Sequence, residues 1–165
     1  MADAGVAASE QHTSGLDQGL DHAILEHDDA ARLLGIAVEH LGPGEATCTM
    51  AVRADMLNGF GMAHGGMVFS LADTAFALAC NPGGTDTISG MELITVASGA
   101  DISFISAAMP GETLRAVAQH RASSGRSGVY DIEVTAVEAG GSARIVAEFR
   151  GRSRSIPNPA YRPRS

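Results

Sequence analysis

The sequence predicts an α+β domain in which a largely antiparallel sheet is wrapped around one long central helix. Three observations predict it. Met67 to Cys80 is almost entirely apolar or small, which marks a helix surrounded on most sides by protein. Runs of strand-forming residues on either side of it are joined by short Gly- and Ser-rich turns, and hairpin connections make a sheet antiparallel. Aromatic residues are only 4% of the chain, so the core is built from Val, Ile, Leu, Met and many Ala, in closely packed layers.

The elements follow in order. Residues 1–20 mix Ala, Gly, Ser, Asp and Gln without a period and read as a flexible leader. His22 to Leu34 carries Ile24, Leu25, Ala30, Ala31, Leu33 and Leu34, enough for a short amphipathic helix closed by Gly35. Ile36 to Leu41 and Glu45 to Val52, separated by Gly42-Pro43-Gly44, read as a hairpin. The central helix comes next, then turn material from Pro82 to Gly90 that forms a loop or short lid. Strands resume over Ile94 to Ile105, Thr113 to Ala122, Ser127 to Val137 and Ala143 to Ile156. The tail, residues 157–165, has prolines at 157, 159 and 163 and is expected to lie extended or disordered. The globular domain therefore spans residues 21–156.

Composition excludes several functions. The chain has 165 residues, a length that suits one domain, and a formal charge of −8 with Arg as its only cation, which argues against nucleic acid as a partner. Cys48 and Cys80 cannot make a disulfide framework, and no apolar stretch has signal-peptide or membrane-spanning length, so no membrane role and a reducing cytoplasmic location are expected. His22 and His27 lie outside the core at no metal-ligand spacing, and neither a GxSxG elbow nor a GxxxxGK phosphate loop is present. Any chemistry must rest on carboxylate, water and backbone.

Asp73 stands in the middle of the apolar helix. A buried carboxylate is costly unless paired, so it is either hydrogen-bonded to a neighbouring backbone group or to Thr74, or it serves chemistry. The helix opens with His64-Gly65-Gly66. This is either a plain turn or a place where free N–H groups and the positive end of the helix dipole hold a developing oxyanion. Gly65 and Asp73 are separated by eight residues, or about 12 Å of helix at 1.5 Å per residue. A reacting carbonyl must lie within about 3 Å of both groups, so one helix cannot serve both. Two helices packed antiparallel across a two-fold axis can, each site combining Gly65 of one chain with Asp73 of the other.

With Asn58 upstream, His64-Gly65-Gly66, then Leu71-Ala72-Asp73-Thr74, and with Gly128 to Val134 and Phe149-Arg150-Gly151 far downstream, the chain resembles the phenylacetic-acid-degradation (PaaI-type) branch of the hot-dog thioesterases. The likeness covers about residues 28–156. It implies hydrolysis of acyl-CoA, notably aryl-acetyl-CoA such as phenylacetyl- or hydroxyphenylacetyl-CoA, by a homo-oligomer whose dimer is the active unit and whose dimers pair into tetramers. CoA is part of the substrate, and no separate cofactor or metal is implied. By the family's motif Asp73 acts as general base or as nucleophile, and the Gly65 N–H polarises the carbonyl. Asn58 and His64 orient water, carbonyl or pantetheine, with a turn role for Asn58 and a helix cap for His64 as the rival readings. Gly66 and Thr74 are the adjoining substrate-binding candidates.

Two departures from the family's pattern matter. Asn81 to Thr95 is longer than the turn expected after the helix, and this extra loop is placed to line or cover the acyl pocket, which leaves the acyl group open. Ala77 occupies the position one turn after the carboxylate where related enzymes often have a hydroxyl, so a water-positioning hydroxyl must come from Thr74 or from the loop after the helix. In the last strand, period-two alternation sets Arg144, Val146, Glu148, Arg150, Arg152 and Arg154 outward and Ile145, Ala147, Phe149, Gly151 and Ser153 inward. Arg150 and Arg152 are therefore candidates for the CoA phosphates, with solvated surface arginine as the alternative. A non-catalytic acyl-CoA-binding or sensing protein is the rival function. A hydratase is disfavoured, because the His-and-Asp helix pattern of such enzymes is missing.

Overall fold

The structure, a computed structural model, describes residues 22–81, 83, 87–137 and 142–163. The leader at residues 1–20 lies outside the described residues. Helix α1 (Asp29–Leu34) precedes β1 (Ala37–Gly42) and β2 (Glu45–Ala51), and helix α2 (Gly65–Cys80) precedes β3 (Leu93–Phe104), β4 (Thr113–Ser124), β5 (Ser127–Val137) and β6 (Ala143–Pro157). The six strands form one sheet in the order β1-β2-β4-β5-β6-β3, with every neighbouring pair antiparallel. The sheet curls around α2, as the hairpin-rich sequence predicts.

Along α2, Val68, Leu71, Ala72, Ala75, Phe76 and Ala79 recur at helical spacing and are buried against the sheet. Leu71, Leu114, Ile132 and Val134 are all fully inaccessible, so the helix and the central strands share one core. Few aromatics suffice for it: Phe76 packs edge-on against Tyr130 and, tilted, against Phe149. Gly151 makes this possible, since a Cβ there would fall 2.6 Å from the Phe76 ring.

The helix is covered on most sides, as expected, but not all round. Gly66, Ser70, Asp73, Thr74 and Ala77 share a face that the protomer's own sheet leaves partly open. Small side chains on that face disguise the amphipathic pattern. The Ser70 and Thr74 hydroxyls fold back onto the carbonyls of Gly66 and Ser70, at 2.8 and 2.9 Å.

Three expectations are corrected. The first helix is split: a 3-10 turn at Leu25–His27 stops at Asp28, whose φ and ψ of −82° and 82° are not helical. The Asp28 side chain accepts from Ala31 N and caps α1 instead, and Gly35 closes α1 in the left-handed conformation. His22 is buried, its Nε2 2.6 Å from Asn81 O and its Nδ1 accepting from Ile24 N. In β6 the register against β5 slips between Val134 and Thr135, a bulge that resets the alternation. Val146 is therefore buried and Ile145 is 41% exposed, the reverse of simple period two.

The tail does not hang free. Asn158 is buried, and residues 158–162 hydrogen-bond to the segment from Ile88 to Glu92. Among the described residues no helix is long and apolar enough to cross a membrane.

Candidate active site

Asn81 and the first turn of α2 fix the two ends of the helix. At its start, His64 is extended (φ −62°, ψ 134°) and its Nδ1 accepts from Gly66 N at 3.0 Å. The cap reading of His64 is thus what its geometry supports, and the Gly66 N–H is consumed by it. Gly65 N is left as a first-turn donor with no acceptor among the described residues. At the far end the Asn81 amide donates to Ala77 O and Thr95 O and accepts from Thr95 N, which ties α2 to β3.

Asp73 lines an apolar cavity of about 310 Å³ between α2 and β3, walled by Phe76, Ala77, Cys80, Ile94 and Val96 and bordered by Ile24, Ile88 and Met91. No described residue hydrogen-bonds to the Asp73 carboxylate or forms an ion pair with it. Thr74 turns its hydroxyl to Ser70 O, not to Asp73. Desolvation raises the pKa of the Asp73 carboxyl above its ordinary value of 3.8. Of the two readings of this residue, the hydrogen-bonded structural one has no partner to support it.

Gly65 opens onto a different cavity, about 360 Å³, shared with Asn58, Val68, Phe104, Ile105 and Val146. Asn58 does serve a turn: its Oδ1 accepts from Phe60 N at 2.9 Å and its carbonyl from Gly61 N at 3.0 Å. Its Nδ2 has no acceptor among the described residues and remains available as a donor. Phe104 lies over Gly65 so closely that a Cβ there would stand 2.9 Å from the ring. Glycine lets the ring rest against the backbone there, and any larger residue would make the exposed Phe104 ring shift.

One protomer thus brings Asn58 and Gly65 together and holds Asp73 apart from them. The edges of the sheet are β1 and β3. Strand β3 is twelve residues long, carries a single charge at Asp101, and leaves Leu93, Val96 and Phe104 substantially exposed. Such an edge is a template for another strand.

Arg150 and Arg152 are on the outer face as the alternation requires, but both are engaged. Arg150 binds Asp131 through Nε and Nη2 at 2.7 and 2.9 Å, with Arg121 on the same carboxylate, and Arg152 binds Asp101. Asp131 is held below the usual carboxylate range by these guanidiniums, chiefly Arg150. Arg126 and Arg154, brought near each other by the pairing of Ser127 with Arg154, have no acidic partner among the described residues.

Sequence reasoning missed Phe104 over Gly65 and the contribution of Ile24 to the cavity border, whereas Ile88 and Met91 belong to the long loop from Asn81 to Thr95 that it offered as a lining of the acyl pocket. Contacts across the sheet leave no local signal. The Pro157-Asn158-Pro159 run, by contrast, is a turn signature that could have marked the docked tail.

The sequence matches the model of the thioesterase superfamily over residues 60–143. It is 44% identical to the acyl-coenzyme A thioesterase PaaI of Escherichia coli over 135 residues, which are 82% of this chain and 88% of that protein. Its structure is similar to that of the E. coli PaaI protein from the phenylacetic acid degradation operon, with a TM-score of 0.71 and 43% identity over 82% of this chain and 90% of that one. It is also similar to the TT0310 protein of Thermus thermophilus, with a TM-score of 0.66 and 35% identity over 79% of this chain and 99% of that one.

Proposed function

The chain belongs to the thioesterase superfamily, and from that premise we propose that it hydrolyses acyl-CoA thioesters, aryl-acetyl-CoA foremost, to the free acid and CoA. The observation that carries this reading is Asp73: a carboxylate with no partner among the described residues, on the wall of an otherwise apolar cavity. A protein that only bound acyl-CoA would gain nothing from a desolvated negative charge beside an uncharged carbonyl, whereas a hydrolase needs a base or nucleophile there.

In the reaction the thioester carbonyl rests against the Gly65 N–H of one protomer and faces Asp73 of the other. As a general base, Asp73 takes a proton from water while the water oxygen attacks the carbonyl carbon. The oxyanion of the tetrahedral intermediate is held by Gly65 N–H at the positive end of α2, and collapse breaks the C–S bond and releases the CoA thiolate, which is reprotonated. As a nucleophile, Asp73 would form a mixed anhydride that water then cleaves. Both schemes use the same groups. Asn58 Nδ2 orients the carbonyl or water from the Gly65 side, and His64 shapes the helix entrance through its hold on Gly66 N. Thr74 and Gly66 border the open face of the helix where the thioester passes.

The unit that acts is a homodimer joined along the exposed β3 edge. Pairing two β3 strands across a two-fold axis would continue the sheet, cover Leu93, Val96 and Phe104, and set the two α2 helices antiparallel. Pairing of dimers into tetramers follows the resemblance. For the CoA phosphates, Arg126 and Arg154 are two neighbouring cations with no acidic partner among the described residues, while Arg150 and Arg152 would have to exchange a surface carboxylate for phosphate. The compartment proposed is the cytoplasm.

A thiol-release assay over phenylacetyl-, benzoyl- and straight-chain CoA thioesters tests the reading. Release that is fastest with the aryl-acetyl thioester is expected. Binding without any thiol release would leave the acyl-CoA-binding alternative instead.

A further inference from the structure

The wall of the Asp73 cavity formed by Ile88 and Met91 has little of its own to hold it. Ile88–Gly90 is a single 3-10 turn with no buried residue, closed within itself by Gly90 N to Thr87 O and Met91 N to Ile88 O, both 3.1 Å, and by an exposed Thr87–Ser89 hydroxyl pair at 3.2 Å. What fastens it comes from the other end of the chain. Asn158 is 7% exposed and spends its whole amide: Nδ2 donates to Ile88 O at 2.7 Å and to Met91 O at 2.8 Å, while Oδ1 accepts from Ala160 N at 2.9 Å. The Asn158 backbone N–H donates to Glu92 O, and Arg162 N–H to Ser89 O, each at 2.9 Å. Four hydrogen bonds of the tail thus reach the segment from Ile88 to Glu92, and Ala160 N and Tyr161 N close the tail's own bend on Asn158.

We propose that the tail is part of the acyl-selecting apparatus, with Asn158 as the positioning residue that holds Ile88 and Met91 in place as a wall of the cavity beside Asp73. This rests on the thioesterase reading. A short acyl group seated near Asp73 has no need of that wall; a larger apolar one reaches it and loses contact when it moves. The tail therefore tunes discrimination between acyl groups and leaves the chemical step untouched. Asn158 acts through Ile88 and Met91 and touches no reacting atom.

Asn158→Asp is the decisive variant, because it keeps the acceptor for Ala160 N and removes both donors to the turn. The expected result is that the ratio of kcat/KM for phenylacetyl-CoA over acetyl-CoA falls by about tenfold, carried by KM for the aryl substrate, with acetyl-CoA turnover unchanged. Arg162→Pro, which deletes the backbone donor to Ser89 O along with the exposed side-chain bonds to Pro159 O and Tyr161 O, is the second variant and shifts the ratio the same way. In an Ile88→Ala, Met91→Ala background, Asn158→Asp should add little further change. An unchanged ratio, or equal losses for both substrates, overturns the proposal. Affinities for the non-hydrolysable thioether analogues of the same two substrates separate the two readings. If the wild-type protein binds the analogues but releases no thiol from the parent thioesters, the hydrolase reading fails while the affinity ratio still decides the role of the tail. If it binds neither, both readings fall.

Discussion

Gly65 and Asp73 lie on the same uninterrupted helix, eight residues and about 12 Å apart, and they open onto two different cavities of the protomer. On the proposed dimeric reading, a single chain holds two half-sites and no whole one. Subunit complementation follows. Gly65→Pro removes the N–H donor at a first helical position where proline is tolerated, and the extended His64 before it suits a following proline, although Phe104 must give way. Protomers carrying Gly65→Pro and protomers carrying Asp73→Asn should each be inactive alone. Mixed by unfolding and refolding, they should recover about a quarter of wild-type activity, since half the dimers are hybrids with one intact site of two. No recovery in hybrids isolated by differential tagging would refute shared sites.

Asp73→Asn should lower turnover by at least about a hundredfold while substrate still binds. In the wild type, burial raises the Asp73 pKa, so the acid limb of kcat/KM should fall at a pH above 3.8. The sign for stability is the opposite of that for a salt-bridged aspartate. A raised folded-state pKa means that ionisation costs stability, so Asp73→Asn should raise Tm at neutral pH, with a gain that shrinks as the pH falls towards 3.8. Melting curves across that range decide it.

Gly151→Ala would drive a methyl to within 2.6 Å of the Phe76 ring, in a core where neither β6 nor α2 can retreat. A loss of about 1–3 kcal/mol in urea unfolding is expected. Stability within experimental error of wild type would mean that the Phe76 ring has room to turn.

Cys48 and Cys80 are both buried, and burial pushes each thiol up to about 12. At pH 8 neither is a thiolate, so a thiol-reactive chromophore should label the native protein slowly and both residues promptly after denaturation. Fast labelling of Cys80, which borders the Asp73 cavity, would show that the cavity admits the reagent and solvent more freely than its walls suggest.

Replacing Asn81 by Ala strips Thr95 N, Thr95 O and Ala77 O of partners at the joint between α2 and β3. A destabilisation of about 2–3 kcal/mol is expected, from unfolding titrations. Aryl-substrate KM should rise with it, because Thr95 lies on the cavity wall.

The sequence by itself determined the elements and their chemistry. Alternation, glycine turns and one apolar helix define six antiparallel strands around α2, and the distance between Gly65 and Asp73 along that helix is a property of the α-helix that no packing alters. Only the tertiary structure decided what depends on neighbours far away in the chain. The bulge at Val146 is set by pairing with β5, the ring over Gly65 comes from β3, and His22 and Asn158 are buried because distant carbonyls meet them. Local sequence encodes backbone preference and period, whereas these contacts are agreements between segments tens of residues apart, and no window along the chain contains both sides of them.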